Sequence, residues 1–272
     1  SAITSAAITA YHGEFLGGGL TSVASGQAAY VFNAESSNNS GVVDTLTNIE
    51  GANFAANGLN YAVGSASADT FTGGSSTDYI KGGAGNDIIS GLAGIDTIIG
   101  GYGSDTITGG TAADIITLTE TTAASDIINI ATDDSDSSAP DAITGFSATL
   151  ADADKLVNTT AAFDVTADVT SAVNVSSAVN GTGIITATVS NGIISLGATD
   201  ADDVNTIAEW YGVAAVTNVI ASGDTAAFEF SGDTYVFHNP ATGDDSMIKL
   251  VGVTGITALS DTAAAADTIF IG

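Results

Sequence analysis

Residues 64–117 divide into consecutive nines: GSASADTFT from Gly64, GGSSTDYIK from Gly73, GGAGNDIIS from Gly82, GLAGIDTII from Gly91, GGYGSDTIT from Gly100 and GGTAADIIT from Gly109. The first column is glycine in every unit. The sixth is aspartate in every unit: Asp69, Asp78, Asp87, Asp96, Asp105 and Asp114. The eighth is a large apolar residue in every unit: Phe71, Ile80, Ile89, Ile98, Ile107 and Ile116. Three columns held through the whole run mark a tandem repeat, in which each unit buries its apolar face against the next.

Each unit reads as a six-residue loop followed by a three-residue strand. Glycine lets the loop take backbone angles closed to other residues and lets successive loops stack closely. Position 8 points inward, and its column forms a narrow apolar core. This pattern of glycine, aspartate and apolar positions resembles the RTX nonapeptide family, whose repeats form a calcium-binding parallel β-roll.

The resemblance implies two units per turn, so that equivalent loops recur every 18 residues. One edge then stacks Asp69, Asp87 and Asp105, and the other stacks Asp78, Asp96 and Asp114. Carboxylates about 5 Å apart repel by about 3 kcal/mol per pair at an effective dielectric of about 20. A hard divalent cation between the loops reverses that sign, and calcium accepts six to eight oxygens in irregular geometry. The family implies carbonyl ligands from positions 1 and 3 of the lower loop and positions 2 and 4 of the upper one. Those positions are Gly64 and Ala66, Gly73 and Ser75, Gly82, Gly83, Ala84 and Gly85, Gly91, Leu92, Ala93 and Gly94, Gly101 and Gly103, and Gly110 and Ala112. About four calcium ions are expected, between Asp69 and Asp87, Asp78 and Asp96, Asp87 and Asp105, and Asp96 and Asp114. Some units depart from the pattern. Position 4 is Ser67, Ser76 or Ala112 in three of them, and position 2 is Ser65 or Leu92 in two. Sites that draw on the outer units are expected to be weaker.

Upstream, VVDTLTNIEGANF (residues 42–54) reads as a strand with Asp44 followed by a turn at Gly51, and resembles the lead-in of such arrays. Residues 55–63 look like a decayed unit with Asn60 at the aspartate position. Downstream, residues 115–118 and 126–130 read as strands separated by an insertion. Asp133, Asp134, Asp136 and Asp141 read as a loop cluster, either a solvated linker or a further calcium site. The segment DAITGFSATLADADKL resembles the strand and acidic turn that close such arrays. Asn191-Gly192 signals a two-residue hairpin turn, and Gly232-Asp233 a second, which would pair Phe230 with Tyr235 and Phe228 with Phe237. Residues 203–211 read as a short helix capped by Asp202 or Asp203, with Val204, Ile207 and Tyr211 on one face. Trp210 is expected to pack in a core. The C-terminal DTIFIG (Asp267 onward) resembles an uncleaved type I export signal.

The expected fold is all-β. It comprises a β-rich region at 1–57, an RTX roll at 58–117 and a β-rich domain at 118–272 that is sandwich-like with at most one short helix. Composition narrows the partners. The formal net charge is -28, with 25 Asp, 6 Glu, three lysines and no arginine. Such a surface attracts cations and repels nucleic acid and anionic membranes. No apolar run approaches the length of a membrane span. There is no cysteine, which closes thiolate chemistry. Neither HExxH nor GxSxG occurs. The two histidines, His12 and His238, lie far apart in sequence, and His12 with Glu14 reads as an ordinary strand or loop pair. The chain is therefore expected not to be an enzyme.

Two functions compete. One is an extracellular structural protein of a Gram-negative bacterium, self-assembling through calcium into a surface layer or fibre after type I secretion. Its expected partners are further copies of itself, the type I export machinery and cell-surface polysaccharide. The other is the folding and export tail of a larger secreted hydrolase, toxin or adhesin. Assembly in calcium separates them: a subunit polymerises alone and a tail does not.

Overall fold

The computed structural model describes residues 44–47, 51–53, 60–118, 120, 124–130, 139–148, 153–159, 164–165, 169–177, 181–196, 204, 206–215, 219–240, 245–262 and 265–271. Expectations for His12, Glu14 and the rest of residues 1–43, and for Asp133, Asp134 and Asp136, lie outside the described residues. The chain divides into two compact units, Ser1–Ile128 and Asn129–Gly272.

The first unit is a ladder of parallel strands. They are β1 (Asp44–Thr47), β2 (Gly51–Asn53), β3 (Asn60–Val63), β4 (Thr70–Thr72), β5 (Asp78–Ala84), β6 (Ile88–Ala93), β7 (Thr97–Tyr102), β8 (Thr106–Thr111) and β9 (Ile115–Thr117), with β10 (Ile127–Ile130) starting at its end. Successive strands alternate between two sheets, β1-β3-β5-β7-β9 and β2-β4-β6-β8. Partners lie 18 residues apart within the array, as in Ile80↔Ile98 and Ile89↔Ile107. Two units therefore make one turn. Position 8 is the core: Phe71, Ile80, Ile89, Ile98, Ile107 and Ile116 are all buried, continued by Ala62 above and Ile128 below. Position 7 points away from it, and Tyr61 stacks on Tyr79 with ring centroids 4.7 Å apart.

Two expectations change. The strands of the middle units are six or seven residues long, because pairing continues from position 9 through the glycines, as in Gly83↔Gly101 and Leu92↔Gly110. Gly51 does not turn the chain but opens β2, pairing with Thr70. The repeat thus begins earlier than its glycines indicate. Asp44 pairs with Asn60, and Asn60 with Asp78, in one register column.

The second unit contains β11 (Asp141–Thr144), β12 (Lys155–Asn158), β13 (Asp164–Val165), β14 (Val169–Ser177), β15 (Gly181–Ser190), β16 (Ile193–Leu196), the helix α1 (Ile207–Ala214), β17 (Asp224–Phe230), β18 (Asp233–His238), β19 (Ser246–Val251), β20 (Leu259–Thr262) and β21 (Ala265–Ile271). One sheet runs β11-β19-β18-β17-β16-β15-β14, with β13 against β17, and the other runs β12-β21-β20. Most neighbours are antiparallel, though β11 runs parallel to β19 and both β13 and β16 run parallel to β17. Asp141 is buried in β11 rather than part of an acidic loop.

The Asn191-Gly192 hairpin forms as expected, with φ of 51° and 76° and Ser190 opposite Ile193. The second hairpin turns one residue earlier, on Ser231-Gly232, where φ is 56° and 87°. Phe228 therefore faces Tyr235, and Phe237 faces Ala226. A two-residue type I′ turn needs positive φ at both residues, and Asp233 is freed for β18. There it accepts from the Gly252 amide and pairs with Lys249 at 2.9 Å. The helix starts later than expected. Thr206 is its cap, locked by a reciprocal pair of bonds with Glu209. Trp210 packs in the core, stacked on Phe228 at 4.7 Å, and Phe228 stacks on Tyr235 at 5.4 Å. Among the described residues no helix is long and apolar enough to cross a membrane.

Candidate metal centre

The ladder buries its aspartate column along with its isoleucine column. Asp69, Asp78, Asp87, Asp96, Asp105 and Asp114 are all 2% exposed or less. Four of these carboxylates are held from the preceding rung. The amides of Asp69, Asp78, Asp87 and Asp96 donate to Oδ1 of Asp87, Asp96, Asp105 and Asp114, at 2.7–2.8 Å. The stack continues to a residue the sequence reading left out of the columns. The Asp105 amide donates to Oδ1 of Asp126 at 2.8 Å, and Asp126 is equally buried. The insertion lengthens the step to 21 residues, which breaks the nine-residue register that would have revealed it. In the second unit Asp141 and Asp154 repeat the motif, each buried and each followed two residues on by a buried apolar residue, Ile143 or Leu156.

The second carboxylate oxygen separates the units. In the first two, a local amide satisfies it: Ser65 N–H donates to Oδ2 of Asp69 at 2.6 Å, and Gly74 N–H to Oδ2 of Asp78 at 2.7 Å. In Asp87, Asp96 and Asp105 the buried Oδ2 has no hydrogen-bond partner. The cause lies at position 2. Gly83, Leu92 and Gly101 have φ of 118°, 78° and 117°, whereas Ser65 and Gly74 are not at positive φ. Where position 2 is left-handed, no bond from its amide to the carboxylate is made and the oxygen is left bare. An unpaired buried acceptor of this kind costs about 1–3 kcal/mol, more when charged.

That oxygen does not stand alone. A Cβ built on Gly82 would collide with Asp87 Oδ2 and with the carbonyl of Gly100, one turn on; Gly91 stands likewise to Asp96 Oδ2 and the Gly109 carbonyl. Carboxylate and carbonyl oxygens thus converge beside a position that only glycine can fill. The Gly82 and Gly91 carbonyls approach Gly64 and Gly73 in the same way. Other loop carbonyls are engaged in the ladder: Ser65 and Gly74 accept from Ala84 and Ala93, and Tyr102 and Thr111 accept from Gly85 and Gly94. Gly103 and Ala112, at position 4, have φ of 110° and 90°.

Burial pushes Asp87 and Asp96 up to about 7 and Asp105 to about 6. The amide bond from the rung below opposes the shift. For Asp87 and Asp96 the neighbouring carboxylates add to it, but less than burial does. Desolvation, more than the mutual repulsion inferred from sequence, is therefore what a cation must offset. The donor set fits a hard divalent cation: buried carboxylates, a bare oxygen on each of three, and a carbonyl facing two of those, Asp87 and Asp96.

The family model described as RTX calcium-binding nonapeptide repeat (4 copies) matches residues 54–89, 63–98 and 90–118. Among curated proteins none matches the chain. Repeats of this family bind calcium and typify secreted bacterial proteins. Residues 54–118, about a quarter of the chain, are an RTX calcium-binding repeat array, and its described residues, from Asn60 on, fold as a parallel β-roll.

Proposed function

We propose that this chain is a calcium-dependent extracellular structural protein, folded by calcium after type I export and assembling with copies of itself as a surface layer or fibre. The observation that carries the calcium step is the buried, unpartnered Oδ2 of Asp87, Asp96 and Asp105. Without a cation these carboxylates are desolvated and incompletely bonded. With one, they are ligands, and binding free energy becomes folding free energy. The aspartates and the position 1 to 4 carbonyls hold the ions, about four in the array. Inside a cell, free calcium lies far below the ~10⁻⁴–10⁻³ M range of extracellular calcium modules, so the array stays open and threadable.

The structural, non-catalytic role is supported by composition and by an edge. The chain carries a net charge of -28 and no Cys or Arg. In the second unit β14 ends the strand order, and its nine residues, VTSAVNVSS, include no charge. A long uncharged edge strand is a template for pairing with another chain. The test is electron microscopy of the purified chain with millimolar calcium and with chelator. Ordered polymers that dissolve in chelator are the expected result. A chain that stays monomeric at high concentration in calcium would transfer the assignment to the export tail of a larger secreted protein.

A further inference from the structure

The insertion after the array has a use that its sequence hides. It brings Glu120 to the edge where Asp126 stacks on Asp105. One carboxylate oxygen from each of Asp105, Glu120 and Asp126 lies within 4.8 Å of the other two. Oxygens on opposite sides of one calcium ion are about 5 Å apart, so a single ion reaches all three. Asp105 is 1% exposed, and its Oδ2 has no hydrogen-bond partner.

Backbone oxygen supply also changes at this rung. Beside Gly64 and Gly82, on the same edge, the carbonyl of the glycine one turn on closes over the aspartate oxygen. At Gly100, the last repeat glycine of that edge, the nearest atoms are Asp105 Oδ2 and the Ile107 side chain, both from its own unit. Glu120 fills the deficit from a different direction. Its Oε1 accepts from the Gly103 amide at 3.1 Å, which fixes the side chain against the last loop.

We propose that Asp105, Glu120 and Asp126 form a terminal divalent-cation site, in which a glutamate from the insertion replaces a backbone carbonyl of the repeat. This inference rests on reading the array as calcium-binding. Three carboxylates carry more charge to the ion than the two of a repeat site, and ligand charge raises affinity for a hard cation. The site therefore fills at lower calcium than the repeat sites, and it fastens the insertion to the last rung.

The experiment is calcium titration calorimetry with native mass spectrometry on the full 272-residue chain, comparing wild type with Glu120→Gln. Glutamine keeps an acceptor for the Gly103 amide and removes only the charge, so a purely positioning hydrogen bond survives it. The expected result is one ion lost from the tightest class, or that class weakened at least tenfold. An isotherm identical to wild type overturns the site. If the variant does not fold, calcium anomalous scattering from wild-type crystals decides: a peak bonded to Glu120 supports the site, and peaks at the other rungs without one there overturn it. Wild type that binds no calcium at all would overturn the reading of the array as well, so the two failures are distinguishable.

Discussion

The two units solve the same problem, burying enough surface to hold β-strands together, with different materials. The second unit does it with large side chains. Trp210, Val213, Phe228, Tyr235, Phe237 and Met247 share one core, with Phe228 stacked on both Trp210 and Tyr235. Buried polar groups there pair with one another, as where Thr225 Oγ1 lies 2.9 Å from His238 Nδ1. The repeat array of the first unit buries one large side chain per nine residues and one aspartate beside it. Burying a Phe or Ile contributes about 1.5–3 kcal/mol, whereas ordering a residue's backbone costs about 1–2 kcal/mol. Nine ordered residues outweigh one isoleucine. The roll therefore draws less on large side chains than the second unit does, and its buried carboxylates are groups that a cation would offset. The fold of the second unit is written in its side chains, and that of the roll, on the proposed function, is written in side chains plus an ion.

The largest expected effect follows directly. In chelator, residues 60–118 should lose hydrogen-exchange protection while residues 219–250 keep theirs; millimolar calcium should restore the former cooperatively. Magnesium should be much less effective, because it demands tighter octahedral geometry. Full protection of the roll in excess chelator would abolish the contrast between the units and the export-timing mechanism with it.

Single substitutions sharpen the same contrast. Asp96→Ala removes a ligand shared by two sites and orphans the Asp78 amide, which donates to its Oδ1 at 2.7 Å. It should remove two calcium ions by titration and destabilise the roll by several kcal/mol in calcium. Asp69→Ala, at the start of the column, should remove one. Phe228→Ala in the second unit should cost about 3–5 kcal/mol through its cavity, equally with and without calcium. An Asp96→Ala penalty that persists unchanged in chelator would show that the aspartates stabilise the roll by hydrogen bonding alone.

Acidity should separate the units in opposite senses for the apo and calcium-loaded roll. Asp87 and Asp96 titrate near 7 and Asp105 near 6 when folded without metal, against about 3.8 for an ordinary aspartate. The metal-free fold thus holds more protons than the unfolded chain between about pH 4 and 7. Its stability falls as pH rises through that window. In chelator, the roll should show more β signal at pH 5 than at pH 8. With calcium present protons compete for the same oxygens, so the calcium midpoint should rise as pH falls below about 7. A midpoint that does not move between pH 5 and 8 would place the ions away from these carboxylates.

The sequence shows the roll because its period is rigid: Asp, apolar and Gly columns recur at fixed spacing and leave little choice of register. Where the period breaks, legibility fails. Asp126 belongs to the column but sits behind an insertion, and Glu120 lies inside it, so neither carries a spacing signal. Gly51 lies where a turn residue would be expected, yet pairing with Thr70 makes it a strand. In the second unit Asn191-Gly192 fixed its hairpin, while the turn read on Gly232-Asp233 falls on Ser231-Gly232, because both of those residues take positive φ. Conformation at position 2 is the least legible feature. Gly74 is a glycine and is not left-handed, while Leu92 is not a glycine and is.

That last point yields the smallest expected effect, and it tests the site through the backbone alone. Leu92 holds φ at 78°, which costs a branched residue about 1–2 kcal/mol relative to glycine. Its side chain is 48% exposed, so removing it forfeits little packing. Against the relief stands the added freedom of glycine in the unfolded chain, about 0.4–1 kcal/mol. Leu92→Gly should therefore stabilise the calcium-bound roll by at most about 1.5 kcal/mol and shift the calcium midpoint slightly lower. Ser65→Gly is the same change in the same column with the opposite expected sign. Ser65 is not at positive φ, and its Oγ donates to Asp69 Oδ1 at 3.2 Å, a bond that glycine deletes. The substitution adds unfolded-state entropy and relieves nothing, so it should raise the midpoint. Both variants moving in the same direction would mean that left-handed geometry at position 2 does not prepare the aspartate oxygen for the ion.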